Sequence, residues 1–263
     1  MSIRFLTLLL LAAAFMWPAG QATAAEKNDK APAVTPMKVL VFSKTAGFRH
    51  DSIETGIAAV KKLGEENSFG VDATEDSAKF TADFLKDFKV VIFLSTTGNV
   101  LDDTQQKVFE SYIRSGHGYV GVHSASDTEY DWPFYSMLVG AYLKGHPHIQ
   151  PAKLNVVDKN HPATAHLTDI WERTDEWYNF RKPPEGVRVL LKIDEKSYTG
   201  GENGDNHPMA WCHEVDAGRA FYTELGHTKE SYADPMYLKH LLGGIIYASG
   251  IMEKSPAKDK KKK

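Results

Sequence analysis

The chain has 263 residues, 31 Lys+Arg against 34 Asp+Glu for a formal net charge of −3, and 42% hydrophobic and 25% charged residues. That composition excludes a disordered chain, a disulfide scaffold and a polytopic membrane protein, and the length suffices for one sizeable core. The near-balanced charge leaves no general electrostatic footprint for nucleic acid, and none is expected as a partner.

In chain order, Arg4 precedes a 13-residue run over 5–17, which Pro18 and Gly20 interrupt ahead of Ala22-Thr23-Ala24. A positive start, a short apolar stretch and an A-x-A site predict a secretory signal peptide over 1–24. The run is too short for a transmembrane helix, which needs about 20 residues, so no membrane span is expected. The mature chain is expected to be exported, as a bacterial periplasmic or secreted protein. Residues 25–36, polar and Pro-containing, read as a linker, and one domain is expected over 37–252. The last stretch, 253–263, holds six lysines and one aspartate and reads as a solvated tail.

Within the domain, MKVLVFS at 37–43 predicts a strand, followed by a Gly-containing loop. Ile53, Ile57, Val60 and Leu63 predict an amphipathic helix over 52–66 with Ser52 as its N-cap. A short strand is expected over 70–74, and the continuous apolar run FKVVIFLS at 88–95 has the pattern of a strand buried on both faces. A helix over 102–114 and a strand over 119–123 follow. This alternation implies right-handed β-α-β units and a mostly parallel sheet. After Pro151 the rhythm changes to short strands, 153–157, 187–193, 209–213 and 220–225, before an apolar helix over 237–249. The fold class expected is α/β, a three-layer α/β/α domain with an irregular or antiparallel insertion.

Gly116-x-Gly118-x-x-Gly121 matches the dinucleotide-binding pattern, but a helix precedes it and a strand follows, the reverse of the required context. Its glycines fit a helix cap and a tight helix-to-strand turn, and no nucleotide cofactor is expected. The single Cys212 forms neither an intramolecular disulfide nor a Cys-rich zinc site, and its place in MAWCH predicts a buried structural thiol.

The histidines stand out: 11 of them, about twice the ordinary share. In an open α/β sheet, ligands bind beyond the carboxyl ends of the strands. His50, His123 and His227 all follow predicted strands and are expected to converge at that edge. Arg49 adjoins the first, and Ser124 and Asp127 follow the second. Ser124 reads equally as a substrate contact or a turn cap, and Asp127 as a supporting partner or a helix cap. His146 and His148, two apart, reach one metal if their segment is extended. In DEWY at 175–178, Glu176 and Tyr178 share one face of an extended chain and combine a carboxylate with an aromatic, which suits sugar hydroxyls and C–H surfaces.

Several segments together, VLVFSKTAGFRHDSI, GYVGVHSASDTEYDWPFY, the His146-Pro147-His148 turn, NHPAT, DEWYNF, HPMAW and GRAFYTELGH, resemble the ThuA-like (trehalose utilisation) family across 37–250 in order. That family is similar in fold to the class I glutamine amidotransferases, with a flavodoxin-like sheet. The resemblance implies carbohydrate metabolism of sugars or oxidised (3-keto) glycosides. Amidotransferases carry a nucleophilic Cys in a G-x-C-x-G elbow, where this chain has Gly121-Val122-His123-Ser124-Ala125. Amide-transfer chemistry is therefore not expected, while His227 matches the position of those enzymes' His.

Two functions follow as expectations. The first is an exported hydrolase or isomerase acting on a small carbohydrate. In it His123 and His227 do acid/base work with Glu176, Arg49, Ser124, Asp127 and Tyr178 contact substrate, and His50, His146 and His148 hold one divalent metal, zinc, manganese or iron. The second is a non-catalytic sugar-binding or scaffold protein on the same fold.

Overall fold

The computed structural model describes residues 37–251. The expected signal peptide, linker and lysine tail lie outside the described residues.

Strand β1 (Lys38–Phe42) is followed by helix α1 (Ile53–Glu66), β2 (Gly70–Thr74), a single-turn α2 (Ala82–Leu85), β3 (Val90–Leu94), α3 (Asp103–Arg114) and β4 (Gly118–Val122). Then come α4 (Pro133–Val139), β5 (Leu143–Gly145), β6 (Gln150–Val156), β7 (Ile170–Asp175), β8 (Asn179–Phe180), β9 (Arg188–Ile193), β10 (Pro208–Val215), β11 (Gly218–Thr223) and α5 (Pro235–Ser249). Nine strands form one sheet in the order β2-β1-β3-β4-β11-β10-β9-β6-β7, and β5 pairs with β8 separately. The first five run parallel, and β10, β9, β6 and β7 extend the sheet in antiparallel fashion. The expected three-layer α/β/α fold with an antiparallel extension is thus present.

Side chains that alternate across the strands define the two outer layers. On one face Phe93 and Tyr119 meet Phe109 of α3 and Tyr135 of α4. On the other, Phe221 meets His240 of α5. Strands β3 and β4 are buried throughout, which explains their near-continuous apolar sequence.

The glycine pattern at 116–121 serves packing. Gly116 has φ +106° just after α3, a conformation that glycine adopts without strain. A Cβ on Gly118 would lie 2.4 Å from the Ala248 carbonyl oxygen, so its absence lets α5 press onto β4. A Cβ on Gly121 would meet the Tyr119 hydroxyl at 2.6 Å.

Two helix starts differ in kind. Asp102 forms a full capping box, accepting from the amides of Thr104 and Gln105 while Gln105 returns to the Asp102 amide. Ser52, expected to cap α1, makes no side-chain cap; its hydroxyl is buried without a hydrogen-bond partner. Its backbone is itself helical (φ −81°, ψ −9°), whereas a capping side chain reaches its target from an extended residue.

Candidate metal centre at the carboxyl edge of the sheet

Four chain segments deliver polar side chains to one end of the sheet. His50 comes from the loop after β1, His123 from the residue after β4, Glu176 from the residue after β7 and His227 from the loop after β11. One donor atom from each of His50, His123, Glu176 and His227 lies within 4.8 Å of the other three. The three imidazoles pack edge to face, with centroids 4.8 Å apart for His50–His123, 5.1 Å for His50–His227 and 5.0 Å for His123–His227. The convergence expected of the strand-end histidines is present, and Glu176 joins it.

His123 sits where the amidotransferase elbow would be. Its φ is +52°, a left-handed conformation that costs a non-glycine residue about 1–2 kcal/mol. The Tyr222 hydroxyl holds the turn by donating to the His123 carbonyl at 2.8 Å. His123 Nδ1 lies 2.8 Å from the Glu224 carbonyl oxygen, which only accepts, so Nδ1 carries the proton and a neutral ring turns the Nε2 lone pair toward the cluster. The Tyr178 hydroxyl donates to that Nε2 at 2.9 Å.

Around Nε2 the donors crowd together. His123 Nε2 is 3.0 Å from His227 Nδ1 and 3.4 Å from Glu176 Oε2, and His227 Nδ1 is 3.0 Å from Glu176 Oε2. Donors bound to one ion at about 2.0–2.2 Å lie roughly 2.9–3.5 Å from one another, the separations of this triangle. Three imidazoles and one carboxylate are a donor set suited to zinc, manganese or iron. The residues present therefore fit a divalent metal.

The electrostatics agree with that fit. Burial first, and the neighbouring His123 and His227 second, push the His50 pKa down to about 3, so this ring is neutral and able to ligate near neutral pH. Burial opposes the charged form of Glu176, but the neighbouring His123 and His227 outweigh it and hold the carboxyl well below its usual range. Burial also opposes the charged form of His227, yet the Glu176 carboxylate prevails and raises its pKa. A proton held between Glu176 and His227 occupies ground that a cation would take.

His146 borders the cluster: its Nδ1 donates to the Pro147 carbonyl at 3.1 Å and lies 2.9 Å from Glu176 Oε1, and its ring lies nearly parallel to Tyr178 at 5.6 Å. His148 stands apart and exposed, with its backbone carbonyl accepting from Gln150. Arg49 is engaged on the surface by Glu54 at 2.6 Å and Glu75 at 2.8 Å. Ser124 is fully buried, with Oγ 3.4 Å from His50 Nδ1, so it supports that ring. Asp127 accepts from the Tyr130 hydroxyl at 2.6 Å. Cys212 is buried, as expected from its strand.

Two acids escaped the sequence reading. Asp175 is completely buried beneath the cluster and accepts from the amides of Glu176, Gly226 and His227. Glu224, also completely buried, accepts from the Tyr178 amide, and burial foremost raises its pKa well above the carboxylate range. An acidic residue inside the apolar run FYTEL was the available signal for Glu224.

A family model described as ThuA, trehalose utilisation, matches residues 38–248. The chain belongs to the ThuA family. Among solved structures, a ThuA-like protein from Bacteroides uniformis ATCC 8492 shares 25% identity and a TM-score of 0.70, over 88% of this chain and 95% of that one. A second ThuA-like protein, from Parabacteroides merdae ATCC 43184, has the same fold at 20% identity and a TM-score of 0.67, over 86% of this chain and 94% of that one. No curated protein matches the chain in sequence. ThuA-like neighbours share the class I glutamine amidotransferase-like fold, here with histidine at the elbow.

Proposed function

We propose that this ThuA-family chain is an exported enzyme of carbohydrate metabolism that hydrolyses or isomerises a sugar or 3-keto glycoside at a single divalent metal. His50, His123, Glu176 and His227 are its ligands. The observation that carries this reading is the grouping of their four donor atoms within 4.8 Å. The family's description as trehalose utilisation supports the substrate class, and the leader-like run over 5–17 supports export.

A bound divalent ion supplies Lewis acidity toward a keto or glycosidic oxygen and lowers the pKa of water. The chain's own residues supply the rest. In this reading His123 and His227 act as ligands, and proton handling passes to His146. Its Nδ1 lies 2.9 Å from Glu176 Oε1, and its side chain, 42% exposed, is open to a substrate. The Tyr178 hydroxyl, kept protonated first of all by burial, is a hydrogen-bond donor at the centre of the cluster. Thr228 and Ser231 brace the His227 loop through their mutual hydroxyl contact at 2.9 Å.

The test combines metal analysis of the purified protein with a turnover screen of disaccharides and 3-keto glycosides. His123→Ala is expected to lose both the metal and turnover while remaining folded by circular dichroism. His146→Ala is expected to keep the metal and lose turnover by about 10²–10⁴-fold. Full activity in His123→Ala contradicts the assignment. Tight glycoside binding with no turnover in the wild type points instead to a sugar-binding protein.

A further inference from the structure

Phe48 is 68% exposed at the mouth of the cluster, an unfavourable place for a large apolar ring. Single exposed apolar residues are common on protein surfaces, and exposure alone assigns nothing. Here the backbone is pinned. Thr97 Oγ1 accepts from the Gly47 amide at 3.2 Å and donates to the Phe48 carbonyl at 2.9 Å, while the Ala46 amide donates to the Thr97 carbonyl at 2.7 Å. The next residue, Arg49, is tied to Glu54 and Glu75. These contacts on both sides fix the loop with Phe48 outward. The ring is also in contact with the cluster, edge to face with His50 at a centroid distance of 4.9 Å.

Polar groups stand on the same rim. Asp51, three residues on, pairs with Lys229 at 2.8 Å, joining the loop after β1 to the segment after His227; both side chains are at least half exposed. A fixed aromatic face beside exposed charged donors and acceptors matches a ring with an apolar C–H face and a hydroxyl-bearing edge. Pyranoses have that chemistry.

We propose that Phe48 is a stacking platform for a pyranose ring bound at the His50–His123–Glu176–His227 cluster, and so a specificity-determining residue of this site. The proposal rests on the functional reading above. The platform is pre-organised, so stacking costs little ordering entropy on binding. Asp51 and Lys229 take hydroxyls at its edge, and the sugar's polar face then turns toward His146 and the metal ligands.

The test uses the full-length zinc-loaded chain and three variants, Phe48→Trp, Phe48→Leu and Phe48→Ala. Trehalose, methyl α-glucopyranoside and its 3-keto derivative serve as probes in calorimetry and saturation-transfer NMR. At least one probe is expected to bind the wild type. Phe48→Ala and Phe48→Leu are expected to weaken that binding by about ten-fold, while Phe48→Trp stays within about two-fold or binds tighter. Zinc stoichiometry is expected to be unchanged in all three. Leucine keeps apolar bulk without a π face, so wild-type affinity in Phe48→Leu overturns the stacking platform while leaving the functional reading intact. A wild type that takes up zinc and binds none of the probes overturns the carbohydrate reading and the platform with it. A wild-type dimer that Phe48→Ala converts to a monomer assigns the ring to a protein contact and also overturns the platform.

Discussion

Asp175 organises the candidate metal centre from behind, through backbone amides. Its Oδ1 accepts from the amides of Glu176 at 3.1 Å and His227 at 3.2 Å, so one carboxylate oxygen spaces two of the four ligands. Its Oδ2 accepts from the Gly226 amide at 3.0 Å, the Ser231 hydroxyl at 3.0 Å and the Arg173 guanidinium at 2.9 Å. Five donors offset the cost of burying this charge, and removing one charge from such a pair leaves the other uncompensated. Asp175→Asn places an amide NH₂ where an oxygen now accepts, so it must lose part of this grip. The expected result is a drop of about 10–100-fold in metal affinity, measured by chelator competition at a temperature where the variant is folded. A loss of about 3–5 kcal/mol in stability should accompany it. Wild-type metal affinity in a folded Asp175→Asn would refute this role. The neighbouring Glu176 was legible in the sequence because it joins a carboxylate to aromatics. Asp175 was not, since a carboxylate serving buried amides leaves no mark that distinguishes it from a surface acid.

At the scale of elements, the central parallel strands were the most legible. β1, β3 and β4 are buried throughout or nearly so, and continuous apolar runs announce them. β7 was missed for a physical reason. It is an edge strand, IWERTD, whose exposed positions alternate with buried ones, and two of its inward-facing residues are Arg173 and Asp175, neutralising each other. Helix α4, PFYSMLV, is too short to display a period. The His146–His148 pairing depended on an extended segment, but those residues form the connection between β5 and β6, so only His146 reaches Glu176. The packing of α5 on β4 yields its own prediction. Gly118→Ala drives a Cβ against the Ala248 backbone, which has no side-chain freedom to yield, and should cost about 1–3 kcal/mol in urea unfolding. A neutral substitution would mean that α5 shifts freely on the sheet.

At the scale of the whole molecule, histidine burial makes stability depend on pH. Among the described residues, His50, His117, His161, His166, His213 and His240 all have lowered pKa values, chiefly through burial. His240 is lowered to about 3 and His161 to about 4, whereas unfolded imidazoles titrate near 6.5. Between those values the unfolded chain binds more protons, so stability is full above about pH 6.5 and falls as the pH drops toward 4. Glu224 and His227, both raised, work in the opposite sense but are outnumbered. The urea midpoint in the presence of chelator should therefore fall from pH 7 to pH 4. His240→Gln should reduce that slope by about 1.4 kcal/mol per pH unit. A slope unchanged by the substitution would contradict a neutral buried His240. Composition made the abundance of histidine visible, and the predicted strand ends singled out the three that meet at the carboxyl edge, while the burial of the others became visible only in the packing. The most direct test of the metal centre is anomalous scattering from crystals of the metal-loaded protein, recorded at the zinc, manganese and iron edges. One peak within bonding distance of His50, His123, Glu176 and His227 is the predicted result, and a loaded protein with no peak among these four side chains would contradict it.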